Sequence, residues 1–189
     1  MECAVDVLCD SGYGAASLDA IARGAGVSRG VITYHFADRD ELMAEVVRDA
    51  YAKGLDSVGP PVKGATTMRG ALLAFIGASV EFYAAYPRTI VALTEIVTNA
   101  RRERVDSPAH RDLDTSESRD VEAILTAGQD NGEFRSFDVE LMAMSVRRAL
   151  QGEPVHVVDG GDVLACQREL EELFDRATRA GDPDPRTTS

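Results

Sequence analysis

The twenty residues from Ser17 to Phe36, SLDAIARGAGVSRGVITYHF, constrain this chain more tightly than any other stretch. Leu18, Ile21, Ala22 and Ala25 recur at helical spacing and give a first helix one face to bury. Ser17 stands where a hydroxyl caps that helix, and Asp19 faces the positive end of its dipole. Gly24 and Gly26 bracket Ala25, so the helix is expected to stop there, with Gly26 at positive φ. Ser28 caps a second helix, kept short by a fresh start at Asp38. Val31 and Phe36 are expected to look inward, leaving Ser28, Arg29, Thr33, Tyr34 and His35 outside. Between Ala20 and Ala37 there are two arginines and no carboxylate. A short, polar, acid-free helix set on another by a glycine turn is suited to enter a DNA groove.

That local gap matters because the chain as a whole is acidic, with a net charge of −12 over 189 residues. Residues 1–53 hold five Lys/Arg against nine Asp/Glu, so even this part is negative. Such a balance argues against indiscriminate coating of nucleic acid. It leaves selective contact open, because the field at the contact surface counts more than the total. Hydrophobic residues make up 44%, enough for a core. No apolar run is read as membrane-spanning and no basic-then-apolar leader opens the chain, so a cytoplasmic protein without membrane contact is expected. Cys3, Cys9 and Cys166 share no metal spacing and read as free thiols.

Gly12–Tyr13, Ser17, Ile21–Ala22, Ala25–Gly26–Val27–Ser28, Gly30 and Tyr34–His35–Phe36, followed by Arg39 and Leu42, stand in a familiar order and spacing. Over residues 2 to 50 the chain resembles the N-terminal module of TetR-family transcriptional regulators. Farther on, Gly132–Glu133–Phe134–Arg135 and the helix after it are similar to that family's variable C-terminal half. The resemblance implies a homodimeric repressor released from DNA by a small effector bound in the C-terminal half. It also places Arg39 where the family usually has lysine. Relatives carry a longer first helix behind a basic arm, whereas here the helix starts at Met1, about one or two turns late. Either the start is shortened or misassigned, or those phosphate contacts are lacking.

The rest of the chain reads as helices. Glu2–Ser11 buries Ala4, Val5, Leu8 and Cys9 and ends at Gly12. Asp38 and Glu41 open a fourth helix, with Leu42, Val46 and Ala50 in a stripe, ending near Gly54. Gly59–Pro60–Pro61 then breaks the chain. Thr67–Tyr86 is apolar on more than half its circumference, and the helix begun by Pro87 (Ile90, Val91, Leu93, Thr94, Ile96, Val97) nearly all round. Residues 101–118 are densely charged and read as a solvated linker. Val121, Ile124 and Leu125 mark a helix closed by Asn131–Gly132. Asp138 caps the next, which ends before Gly152–Gly161, and Asp162 caps the last. No sustained strand alternation occurs. The expected fold is all-α: a helix-turn-helix domain over 1–54 (the unit itself about 17–36), a helical effector-binding and dimerisation domain over 55–181, and a disordered tail over 182–189.

Within this frame Arg29 and Thr33 are the candidates for base edges, because the first residues of a short reading helix reach the groove floor. Ser17, Ser28, Tyr34, His35 and Arg39 are candidates for phosphates, and Gly30 lets the backbone come close. The apolar stripes of the last two helices, Met142, Val146, Ala149, Leu150, Val163, Leu170, Leu173 and Phe174, read as a twofold interface. Two reading helices about 34–36 Å apart would meet both halves of a palindromic operator. An effector pocket, implied by the resemblance, would be lined by Phe75, Ser79, Phe82, Tyr83, Tyr86, Thr94 and His110. The three histidines are scattered, and no Cys-x-x-Cys spacing or Gly-x-Ser-x-Gly elbow occurs. No metal, cofactor or catalysis is therefore expected. A purely structural helical dimer and, last, a helical enzyme are the competing readings.

Overall fold

The computed structural model describes residues 1–103, 120–158 and 161–181, with side chains over 1–99, 120–150 and 161–181. His110, the tail from 182 and most of the charged 101–118 segment lie outside the described residues. The elements are α1 (Glu2–Ser11), a 3₁₀ turn (Tyr13–Ala15), α2 (Leu18–Gly24), α3 (Arg29–His35), α4 (Arg39–Gly64), α5 (Met68–Ala85) and α6 (Pro87–Glu103). Then come α7, helical over 120–130, α8 (Val139–Val158) and α9 (Val163–Thr178). The fold is all-α; among the described residues the β-type pairing is an isolated antiparallel bridge, Phe134 with Arg179. The chain divides into two compact units, one holding Met1–Asp56 and α6, the other Ser57–Phe82 and the described residues from 120.

In the first unit Ala4 and Leu8 of α1 pack with Leu18 and Ile21 of α2, with Leu42, Met43, Val46 and Val47 of α4, and with Ala92 and Ile96 of α6. Gly12, at φ 76°, ends α1. Two further links hold α6 to the first helix and turn: Arg88 reaches both Asp6 and Asp10 at 2.9 Å, and Tyr13 N donates to Glu95 Oε2 at 3.4 Å. All three cysteines are half-buried. Cys9 donates to the Arg88 carbonyl at 3.2 Å, and burial pushes its thiol up against the opposing pull of the Arg88 charge.

In the second unit the buried side chains include Leu72, Ile76 and Val80 of α5, Val121 and Leu125 of α7, Ala143, Val146 and Leu150 of α8, and Leu170 and Phe174 of α9. The turn after α7 is tied on three sides. Gly132 takes φ 80°. The Glu133 carboxylate accepts from Met68 N at 3.2 Å and Arg69 N at 2.9 Å, capping α5. Those amides hold the carboxyl below its ordinary value of 4.5. Phe134 is buried and presses on Gly128, where a Cβ would lie 2.1 Å from its ring. Arg135 N donates to Thr178 O at 2.9 Å, and Arg69 pairs with Asp175, both at the end of α9.

Six readings need correction. The fourth helix does not end near Gly54 but runs to Gly64 with Pro60 and Pro61 inside it. A proline removes one helical hydrogen bond and crowds the carbonyl four residues back. Here both prolines are exposed and in the last turns, so water can serve the carbonyls left without a donor. Likewise α8 continues through Gly152 and Pro154 to Val158. Val31 is 46% exposed, because Ile32 and Phe36, four apart, are what fasten α3 to the core. Ala25 is exposed because α2 stops at Gly24 and the residue no longer shares its face. And α6 is two-sided rather than apolar all round, with Ile90, Ala92 and Ile96 buried against exposed Thr94 and Thr98. By length and hydropathy α5 could cross a bilayer, contrary to the reading of the runs, but Leu72, Ile76, Val80 and Phe82 are buried in the fold.

Candidate nucleic-acid interface

The unit forms with the expected cap of α2 in place but not that of α3. Ser17 Oγ accepts from Ala20 N at 3.2 Å and starts α2. At the other end Gly26 takes φ 66°, with Gly26 N donating to Arg23 O at 3.2 Å and Val27 N to Ala22 O at 3.0 Å. That pair of bonds is the glycine-terminated Schellman closure, which satisfies the last carbonyls and swings the chain into α3. Ser28 is the N-cap residue of α3, yet its side chain makes no capping bond, so its hydroxyl stays available. Beyond α3, Asp38 Oδ1 accepts from Glu41 N at 2.8 Å and Glu41 Oε2 from Ala37 N at 2.6 Å. These two carboxylates are thereby engaged in starting α4.

No residue of α3 is fully buried. Arg29, Gly30, Thr33, Tyr34 and His35 are all exposed, Tyr34 at 85%. The Tyr34 and His35 rings meet edge to face with centroids 5.1 Å apart. Thr33 Oγ1 donates to Arg29 O at 3.2 Å and to Gly30 O at 3.3 Å, which engages the hydroxyl within α3. A Cβ on Gly30 would meet only Ser28 Oγ, at 3.7 Å, so no interior contact demands glycine there. Arg29 Nη1 lies 2.9 Å from Asp19 Oδ2, both side chains more than half exposed. The sequence reading gave Asp19 to the helix dipole and missed this pairing, since residues ten apart carry no periodic signal.

Arg39 is placed differently from its reading as a phosphate ligand. Its guanidinium donates to Ala16 O at 2.8 Å and to Tyr13 O, and lies 4.0 Å from the centre of the Tyr13 ring. A planar fork can serve two carbonyls and an aromatic face together, and this one is turned inward.

The apolar stripes of α8 and α9 are also corrected. Val146, Leu150, Leu170 and Phe174 are at most 9% exposed within the single chain, which leaves little of them for another copy to cover. Met142, Ala149 and Val163 are half-buried. Among the residues with described side chains, the apolar ones left outside are Leu141 and Met144 on α8 and Leu164 and Leu173 on α9, each about half exposed or more. Of the expected pocket residues, Ser79 donates to Phe75 O at 2.7 Å and Thr94 to Ile90 O at 2.9 Å, each on its own helix. Phe82 is buried, Phe75 and Tyr83 are half-buried, and Tyr86 is exposed. Two shallow recesses have other linings. One of about 310 Å³ lies among Glu2, Asp6, Asp49, Lys53 and Arg88, and one of about 300 Å³ among Pro61, Leu73, Gly77, Gln167 and Glu171. Among the described residues no group of three His, Cys, Asp or Glu could hold a metal.

Comparison with known proteins agrees with this geometry. Residues 1–46 match the family of bacterial regulatory proteins described as the tetR family. The HTH-type transcriptional regulator BetI of Rhizobium meliloti is 28% identical over 102 residues, covering 54% of this chain and 50% of that protein. The match thus spans half the length of that curated relative. Among solved structures, a tetR-family regulatory protein from Rhodococcus RHA1 superposes with a TM-score of 0.78 at 20% identity, over 96% of this chain and 95% of that one. FadR from Bacillus subtilis, solved in complex with stearoyl-CoA, gives 0.79 at 18% identity over 92% and 94%.

Proposed function

We propose that this chain, a member of the tetR family of bacterial regulatory proteins, is a homodimeric repressor that reads a palindromic operator with α3 and lets go when a small effector binds. The observation that carries the reading is the outward display of Arg29, Gly30, Thr33, Tyr34 and His35 on a helix fastened from behind by only Ile32 and Phe36. Arg29 suits a guanine edge and the Thr33 methyl a thymine. Ser17, Ser28, Tyr34 and His35 supply phosphate contacts that fix register. Arg39 holds the 3₁₀ turn in place instead.

A seven-residue helix offers few base contacts, so selectivity calls for a second copy. Leu141, Met144, Leu164 and Leu173 supply exposed apolar surface on the last two helices for a twofold contact, flanked by half-buried Met142, Ala149 and Val163. Release needs an effector that prefers one of two arrangements of the dimer. That FadR of the same fold was solved with stearoyl-CoA supports a ligand-responsive C-terminal half, with Phe75 and Phe82 of the second unit as candidate lining.

The test is selection of duplexes from a random pool by the full chain, followed by gel-shift titration at several salt concentrations. A palindromic sequence should be enriched, bound two chains per duplex, with affinity falling steeply in salt. Enrichment of nothing removes the reading. Separately, Leu164→Glu with Leu173→Glu should halve the sedimentation mass, and an unchanged mass removes this interface.

A further inference from the structure

We propose that Asp19 is a specificity-determining positioning residue: its carboxylate, carried on α2, fixes the Arg29 guanidinium of α3 in one orientation for reading a guanine. This rests on the DNA-binding reading above. An arginine presents five N–H donors in a rigid plane at the end of a flexible stem. Left unrestrained on an exposed helix, it can swing to any nearby phosphate and reward every sequence alike. Here Nη1 is held 2.9 Å from Asp19 Oδ2. That single bond takes one corner of the fork and leaves the Nε–Nη2 edge open, the spacing that matches the O6 and N7 acceptors of guanine.

The anchor comes from a second helix whose own start is fixed by Ser17, so the direction of the fork does not depend on α3 alone. Thr33, one turn along, is tied down as well, its hydroxyl bonded to the carbonyls of Arg29 and Gly30. The two base-edge candidates are therefore both held by neighbours before any DNA arrives. A carboxylate beside a polyanion also repels phosphates, which lowers affinity for all duplexes. The combination favours discrimination over tightness, in keeping with an acidic chain that must ignore most DNA.

The experiment uses the full chain and duplexes enriched by the wild type, together with unrelated duplexes of equal length. Asp19→Ala should bind unrelated DNA more tightly while losing about tenfold of the discrimination at one base pair per half-site, within the range of a bidentate arginine contact. Replacing that guanine by 7-deazaguanine, which lacks the N7 acceptor, should weaken the wild type and leave Asp19→Ala nearly unchanged. Asp19→Asn, neutral but still an acceptor, should keep most of the discrimination. In an Arg29→Ala background, Asp19→Ala should cost no further discrimination. Asp19 is more than half exposed, so these variants should melt with the wild type. A single common factor on all duplexes, with or without Arg29, overturns the proposal and leaves Asp19 a repelling charge. Enrichment of no sequence by the wild type instead removes the DNA-binding reading beneath it.

Discussion

Helices α3 and α9 are held in opposite ways. The first has no fully buried residue and leans on the core through Ile32 and Phe36. The second buries Leu170, Phe174 and Thr178, and its end is tied to the turn after α7 through Arg135 and to α5 through Asp175. A helix that must meet a partner keeps its functional groups outside and draws its position from caps and a turn. A helix that organises a unit does the reverse. On the proposed reading, stability and recognition reside in different residues, and substitutions should separate them.

The largest effect should come from Phe174→Ala. Removing a ring only 5% exposed is expected to cost about 3–5 kcal/mol in denaturant unfolding. Arg29→Ala should leave unfolding within about 0.5 kcal/mol of the wild type while costing about 1–3 kcal/mol in binding at its cognate base. If the loss is equal on all sequences, Arg29 contacts the backbone. Ser17→Ala removes the α2 cap and should lower stability by about 1 kcal/mol, the one place where the two roles overlap. Tyr34→Ala, at 85% exposure, should leave the melting midpoint where it is.

Acid should also tell the two regions apart. The amides of Arg69 and Met68 depress Glu133, and Arg69 depresses Asp175. A carboxyl whose folded-state value is lowered contributes stability in full above its unfolded value and loses it as pH falls through the folded one. The second unit should thus weaken as pH drops below about 4.5, the ordinary value for Glu133. Glu133→Gln should flatten that part of the stability profile, read by urea melts across pH 2.5–7. An unaltered slope would place the acid sensitivity elsewhere.

Much of this was legible in the chain, and the reasons are local. Ser17, Gly26 and Asp162 act within three residues of themselves, so caps and the positive-φ turn could be read directly. The outward set on α3 followed from a short helix with few apolar positions. What could not be read was which surface covers an apolar residue. Val146 and Phe174 made a stripe fit for a partner, yet their own chain covers them. At Val31 and Ile32, adjacent and alike in chemistry, the spacing was there to be used: Ile32 stands four residues before the inward Phe36 and Val31 five. The prolines of α4 misled for a different reason, because their cost depends on whether water reaches the carbonyls behind them. Long-range pairs such as Asp19 with Arg29 leave no periodic trace at all.

Arg39 carries a last consequence. Its partners, the carbonyls of Ala16 and Tyr13 and the Tyr13 ring, are neutral, so no carboxylate among them offsets the guanidinium's charge at this half-buried position. Held there it can still draw a polyanion from about a Debye length away, about 8 Å in physiological salt, without ever forming a bond to it. Such a charge would quicken the approach of DNA and say nothing about where on the duplex the protein comes to rest.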